Sequence, residues 1–165
     1  MPVCTSWTTG VLTPDGVLVV VALRPIYAAA RRAAAAAGRP VACTLHRAFD
    51  VCRDPFAALA AAKELGLATI LTSGQAASAP QGAELLRQLV EAAGSDVEIL
   101  VGAGVSAGNL PALAAQTGAR AFHLSGKQVL DSRMTFRREG VPMGLPGCSE
   151  VELWQPREAK IRAAL

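Results

Sequence analysis

The chain has 165 residues, 52% of them hydrophobic and 18% charged, a balance that excludes a disordered polyampholyte. Alanine is in excess at 33 residues while aromatics make up 4%, so the core must be packed from Ala, Val, Leu and Ile with helices lying close to their partners. A net charge of +3, with sixteen Lys and Arg scattered along the chain, excludes the basic footprint of a nucleic-acid binder. No apolar run approaches the roughly 20 residues of a membrane-spanning helix.

The first residues carry no basic region, and Pro14 and Asp15 interrupt any apolar core, so no secretory leader is expected. The cysteines Cys4, Cys43, Cys52 and Cys148 have no CxxC or zinc-type spacing and read as reduced thiols of a cytoplasmic protein. Residues 3–8 hold an apolar stretch that reads as a damaged strand. A helix is expected over 20–37, ending at Gly38. Short apolar runs bounded by Gly, Pro or Asp then mark four buried strands, at 41–46, 68–72, 97–101 and 121–125.

Helical patterns fill the gaps. Residues 55–65 start with Asp54 as N-cap and Pro55 at the first helical position. Residues 80–93 end at Gly94, and 107–117 end at Gly118. The strand starts are 27, 29 and 24 residues apart, the length of a unit that returns the next strand parallel to the last. The fold class is α/β with a parallel sheet. Either an open doubly wound sheet or a (β/α)8 barrel satisfies this order. No GxGxxG fingerprint follows any strand, which counts against a dinucleotide site. A full barrel needs roughly 200 residues or more, so a barrel here is incomplete, with four to five βα units.

The polar residues concentrate where strands end. Both histidines, His46 and His123, fall at predicted strand C-termini, the edge where parallel α/β folds bind ligands. A single histidine is more often a packed core residue than a functional one. Two of two at strand ends leave a functional pair and a pair of packed core residues equally open. Side-chain alternation puts Ala42, Thr44 and His46 on one face, with Cys43 and Leu45 on the other. Likewise Ala121, His123 and Ser125 share a face opposite Phe122 and Leu124. Small and polar residues thus line one face and larger apolar ones the other, the layout of a barrel lumen with a polar mouth. Cys52, on the loop after the second predicted unit begins, can share a metal with His46, whereas Cys43 cannot.

Arg47 and Asp50 follow His46, either as an anion clamp or as a structural pair. Thr72, Ser73 and Gly74 end the next strand, offering hydroxyls and amides to an anion or forming a turn only. Gly102 and Gly104 end the strand after that, before a helix start whose N–H groups attract phosphate.

The run His46-Arg47-Ala48-Phe49-Asp50 with Asp54-Pro55 resembles the CutC family of copper homeostasis proteins. The likeness continues through Ile70-Leu71-Thr72-Ser73-Gly74-Gln75, Gly102-Ala103-Gly104-Val105 with Asn109, and Phe122-His123-Leu124-Ser125. It extends to Ser132-Arg133-Met134-Thr135-Phe136-Arg137 and to the segment from Gly10 to Gly16, covering residues 10–150 of one domain. The resemblance implies a TIM-type (β/α)8 barrel, a cytoplasmic location and a role in copper handling. It also implies that roughly the first three βα units are absent. Missing strands leave open sheet edges and an exposed apolar face, so a homo-oligomer is expected.

Three functions follow. The first is Cu(I) binding, with Cys52, His46 and His123 as ligands and Cys148, Met134 and Met143 as further soft donors. The second is an enzyme acting on a small anionic, phosphorylated metabolite. There His46 or His123 is the general base, Arg47 and the Gly102 to Gly104 turn hold the anion, and Asp50 orients a neighbour. Thr72, Ser73, Gly74 and Ser125 complete its ligand-binding set. The third is a fragment with a half-built site.

Overall fold

The computed structural model describes residues 6–136, 138, 140–141 and 149–165. The expected soft donors Cys148 and Met143, and Cys4, lie outside them. The chain divides into two units at Leu124 and Ser125.

The first unit begins with β1 (Ser6–Thr9) and α1 (Val20–Ala36). It continues through β2 (Ala42–Leu45), a 3-10 turn (Arg47–Val51), α2 (Pro55–Glu64) and β3 (Thr69–Thr72). Then come α3 (Ala83–Ala93), β4 (Glu98–Val101), α4 (Leu110–Thr117) and β5 (Ala121–Phe122). The five strands form one parallel sheet in the order β1-β2-β3-β4-β5.

That order decides between the two architectures. A doubly wound sheet reverses its strand order at a switch point. Here every crossover steps to the next strand in the same direction, and right-handed crossovers then put all helices on one face. The buried core agrees. Leu23 and Tyr27 of α1, Leu59 of α2, Leu86 and Leu89 of α3 and Leu113 of α4 join Cys43, Leu45, Ile70, Ile99 and Val101 in one cluster. The sheet is therefore a sector of an incomplete (β/α)8 barrel.

The alternation expected at β2 holds, with Cys43 and Leu45 both in this core. The opposite face is less polar than expected. Leu71 pairs with Leu100 across β3 and β4, and Leu100 pairs with Ala121, so leucines share that face with Thr44 and Thr69. The first strand is intact: Ser6 to Thr9 pair in register with Ala42 to Leu45. Tyr27 fastens α1 over this end of the sheet, its hydroxyl donating to the Thr9 carbonyl at 3.1 Å. Burial pushes its phenol up to about 12.

Several boundaries differ from the sequence reading, among them the start of α4, which is Leu110 rather than 107. Helix α3 starts at Ala83 rather than at 80, because Gly82 is wedged against the preceding loop: a Cβ there would lie 2.0 Å from the Ser73 carbonyl oxygen. Strand β5 stops at Phe122, so His123 follows the strand, although its N–H still donates to the Val101 carbonyl at 2.8 Å.

The second unit pairs β6 (Lys127–Asp131) with β7 (Glu152–Pro156) as antiparallel strands, followed by α5 (Glu158–Arg162). The Lys127 ammonium lies 4.0 Å from the Trp154 ring centroid, and Lys160 donates to the Lys127 carbonyl at 2.8 Å. Among the described residues no helix is long and apolar enough to cross a membrane.

Candidate functional site

The site is built at the C-terminal edge of the sheet, from the connections that leave β2, β3, β4 and β5. After Leu45 the chain turns sharply. His46 is the N-cap of the 3-10 turn, and its Nδ1 accepts the Ala48 N–H at 3.0 Å. That turn buries Phe49 beneath it and swings Asp50 towards β3.

Asp50 is the hub. Its Oδ1 accepts from the Thr72 hydroxyl at 2.5 Å, from the Ser73 N–H at 3.0 Å and from the Gln75 N–H at 3.3 Å. Its Oδ2 accepts from Arg47 Nε at 2.6 Å. The carboxylate side chain is only 7% exposed, against 47% for Arg47. Burial alone pushes the Asp50 carboxyl up, but the donors from Thr72, Arg47, Ser73 and Gln75 together outweigh it and hold the carboxyl below its ordinary value.

Arg47 also donates through Nη2 to the Ser73 hydroxyl at 3.0 Å, and that hydroxyl donates to the Ala76 carbonyl at 2.7 Å. Arg47, Asp50, Thr72 and Ser73 are thus one network, and the structure brings together both alternatives for Arg47: it is paired, and it remains half exposed. Gly74 belongs to the same turn. Its N–H donates to the Thr72 hydroxyl at 2.9 Å, and its positive φ of 72° suits glycine.

The connection after β4 lies alongside. Gly102 is buried and donates to the Thr72 carbonyl at 2.9 Å. Ala103 and Gly104 both have positive φ, at 72° and 74°. Asn109 holds this turn, accepting from the Ser106 N–H and donating to the Gly104 carbonyl, each at 2.8 Å. Ala79 donates to the Ala103 carbonyl at 2.9 Å, which joins the two connections. Among the described residues, the N–H groups of Ala103 and Gly104 have no protein acceptor. His123 is exposed, and a Cβ on Gly102 would lie 3.6 Å from its Cβ. Ser125 is exposed and is the first residue of the second unit.

Sequence reasoning gave no role to Gln75 or Gly10. Gln75 has a φ of 55°, and its side-chain amide donates to the carbonyls of Phe49 and Cys52 and, at 3.3 Å, to Cys52 Sγ. It clamps the β3 connection onto the 3-10 turn. No local pattern announces a non-glycine residue in that conformation. Gly10 lies against His46, where a Cβ would come 3.0 Å from both Cε1 and Nδ1 of the ring.

The copper ligand set fares differently. Among the described residues no three His, Cys, Asp or Glu side chains group closely enough to hold a metal ion. His46, His123 and Cys52 therefore do not form a three-ligand centre. Cys52 is buried, and burial first, then the Asp54 and Asp50 charges, push its thiol up despite the hydrogen bond from Gln75. A protonated thiol is a poor copper ligand. Met134 is exposed. A cavity of about 460 Å³ opens at the opposite end of the strands, lined by Gly94, Ser95, Glu98, Gly118 and Arg120. It lies away from the polar network, which marks the strand C-terminal edge as the candidate site.

Fold and site together define a barrel sector of the (β/α)8 class with its functional edge at the strand C-termini. Comparison with known proteins narrows the class. The CutC family model matches residues 4–128, and the chain belongs to the CutC family. The match starts at Cys4, earlier than the resemblance from residue 10 suggested.

A CutC family protein of Parabacteroides distasonis is 42% identical over 155 residues, covering 93% of this chain and 60% of the relative. One from Chromobacterium violaceum is 44% identical over 154 residues, covering 93% and 59%. One from Vibrio vulnificus strain YJ016 is 47% identical over 135 residues, covering 82% and 52%. Among solved structures, CutC from Streptococcus agalactiae, a candidate copper homeostasis protein, matches with a TM-score of 0.62 and 26% identity. That match covers 70% of this chain and 53% of the other. The chain thus spans between half and three-fifths of the length of these curated relatives.

Proposed function

We propose that the chain serves copper homeostasis in the cytoplasm, and that its own task there is to bind a small anionic, phosphorylated molecule at the strand C-terminal rim. The family supports the role, since the Streptococcus agalactiae relative is a candidate copper homeostasis protein. One observation carries the ligand class. Arg47 is fixed by Asp50 and Ser73 through two of its five guanidinium N–H groups and is still half exposed, which leaves three donors for an anion. The unpaired amides of Ala103 and Gly104 lie on a connection of the same sheet edge and add donors of the kind that cradle phosphate. Turnover, where it occurs, draws on the exposed His123.

A second reading is direct Cu(I) binding in which His46, His123 or Cys52 takes part without the three meeting in one centre. It is favoured by the family alone, since the Streptococcus agalactiae relative is a candidate copper homeostasis protein. The two readings separate in one experiment. The chain is screened by thermal shift against phosphorylated metabolites without metal, and titrated with Cu(I) under reducing conditions. A ligand at a hundredfold excess over its Kd stabilises by about 2.7 kcal/mol, which moves Tm by several degrees. We expect such a shift, and its loss in Arg47→Ala. Stoichiometric Cu(I) binding that disappears in Cys52→Ser and His46→Ala, with no metabolite shift, overturns the anion reading in favour of copper.

A further inference from the structure

We propose that His46 acts on the bound ligand as a hydrogen-bond donor through Nε2–H, and that the fold removes it from service as a base or as a metal ligand. For the ligand this rests on the reading above; for the position of the proton it does not.

His46 has extended backbone, φ −80° and ψ −173°, and caps the 3-10 turn with its side chain. The capping atom is Nδ1, which accepts the Ala48 N–H at 3.0 Å. A ring nitrogen that accepts a hydrogen bond carries no proton, so the proton of the neutral imidazole is on Nε2. Histidine here performs the task usually given to Ser, Thr, Asp or Asn. Rotating the ring by half a turn would put Cδ2 where Nδ1 now lies and leave the Ala48 amide without its acceptor.

Gly10 holds the ring from the other side. A Cβ at that position would approach Cε1 and Nδ1 to 3.0 Å and the Leu45 Cδ1 to 2.8 Å, so glycine is what lets the imidazole edge lie there. Among the described residues Nε2 makes no hydrogen bond with a protein atom. Among the described residues no buried side-chain nitrogen or oxygen lacks a partner, so Nε2 reaches solvent.

The chemistry follows from which lone pair is left. A general base or a metal ligand needs a lone pair on the accessible nitrogen. To supply one, His46 must move its proton to Nδ1, where it faces the Ala48 N–H. Kept as it is, the accessible nitrogen presents an N–H one residue before Arg47 in the chain, and a neutral imidazole in that role polarises a carbonyl or holds an oxyanion. Of the two histidines, His123 is then the one whose ring is not committed to a cap.

The test begins with the ligand-free chain. Long-range 15N–1H NMR of histidine-labelled protein, with His123→Asn to assign the signals, should show the His46 proton on Nε2. A proton on Nδ1 overturns the proposal. Inorganic phosphate is then titrated into the parent and two variants. His46→Asn keeps a capping acceptor but loses the far donor, so the fold persists and phosphate binding should weaken about tenfold or more. His46→Gln keeps a donor at the far position and should recover part of that loss, at some expense in stability. Parent-strength phosphate binding by a folded His46→Asn chain overturns the donor role. A parent that binds no phosphate removes the anion reading of the rim, while the proton position measured without ligand still decides whether His46 is a donor.

Discussion

Asp50 shows how a single side chain can determine the geometry of a site. Four donors from two segments, the 3-10 turn and the end of β3, meet one carboxylate that is 7% exposed. Hydrogen bonds to a charged group contribute about 1.5–3 kcal/mol each when one partner is deleted. Asp50→Asn keeps the shape but removes the charge, and is expected to cost about 2 kcal/mol near neutral pH in urea denaturation. The dependence on pH has a definite sign. The folded carboxyl lies below its ordinary 3.8, so the unfolded chain binds the proton more readily. The stabilisation is complete above the unfolded value and is lost as pH falls through the folded one. The gap between parent and Asp50→Asn should therefore narrow as pH falls below 3.8, and a gap that stays constant down to acid unfolding of the parent contradicts the assignment. Cys52 runs the other way. With its thiol pushed up and buried, Cys52 in the native chain should be alkylated slowly, read by peptide mapping, and quickly only on unfolding. Rapid native labelling confined to Cys52 would show that the thiol is accessible and would restore it as a copper ligand. The acidic and basic pair was legible from the order Arg47-Ala48-Phe49-Asp50. Its partners Thr72 and Gln75 were not, because they reach Asp50 across more than twenty residues of chain.

At the scale of elements, the repeating strand and helix order was readable because each strand is a short apolar run and each helix ends at a glycine or starts at a cap. Asp54 does cap α2, its Oδ1 accepting from Phe56 and Ala57 at 2.9 and 3.0 Å. Helix α1 covers nearly the range expected from its alanines, even with Pro25 inside it. What the sequence could not show was contact between segments. Residues 80–82 satisfy the local rules for a helix start, yet Gly82 is needed for the close approach to Ser73 and Gly74. The pairing of β6 with β7 was likewise hidden, since twenty residues separate the two strands and no short turn announces a hairpin. The glycine argument can be measured. Gly82→Ala should destabilise by about 1–3 kcal/mol, because the new Cβ meets backbone atoms that cannot move aside. Gly102→Ala should cost less, since its Cβ meets the flexible end of Leu71 at 2.7 Å. Equal costs in chemical denaturation would mean that the Ser73 loop gives way as easily as a leucine side chain.

At the scale of the whole molecule, the sheet of the first unit is the feature from which association is predicted. Parallel strands are ordinarily covered on both faces and paired on both sides. Among the described residues β1 and β5 each have one neighbour, and the helices of the unit cover one face only. The other face carries Leu71 and Leu100 between Thr44, Thr69 and Glu98, and Trp7 on the β1 edge is 43% exposed. Such a surface is mixed enough to meet water and apolar enough to gain from being covered, while the two open strand edges offer hydrogen-bonding groups to any compatible edge. A second copy supplies both. The 165-residue chain is therefore expected to associate with itself, with sedimentation velocity showing a shift from monomer to dimer or larger species as concentration rises through the micromolar range. Placing a lysine at Leu100, as Leu100→Lys, should weaken that association without touching the helix-side core, because Leu100 pairs with Leu71 and Ala121 on the open face. A compact monomer at every concentration tested would mean that the sheet face and both edges are satisfied within the chain itself.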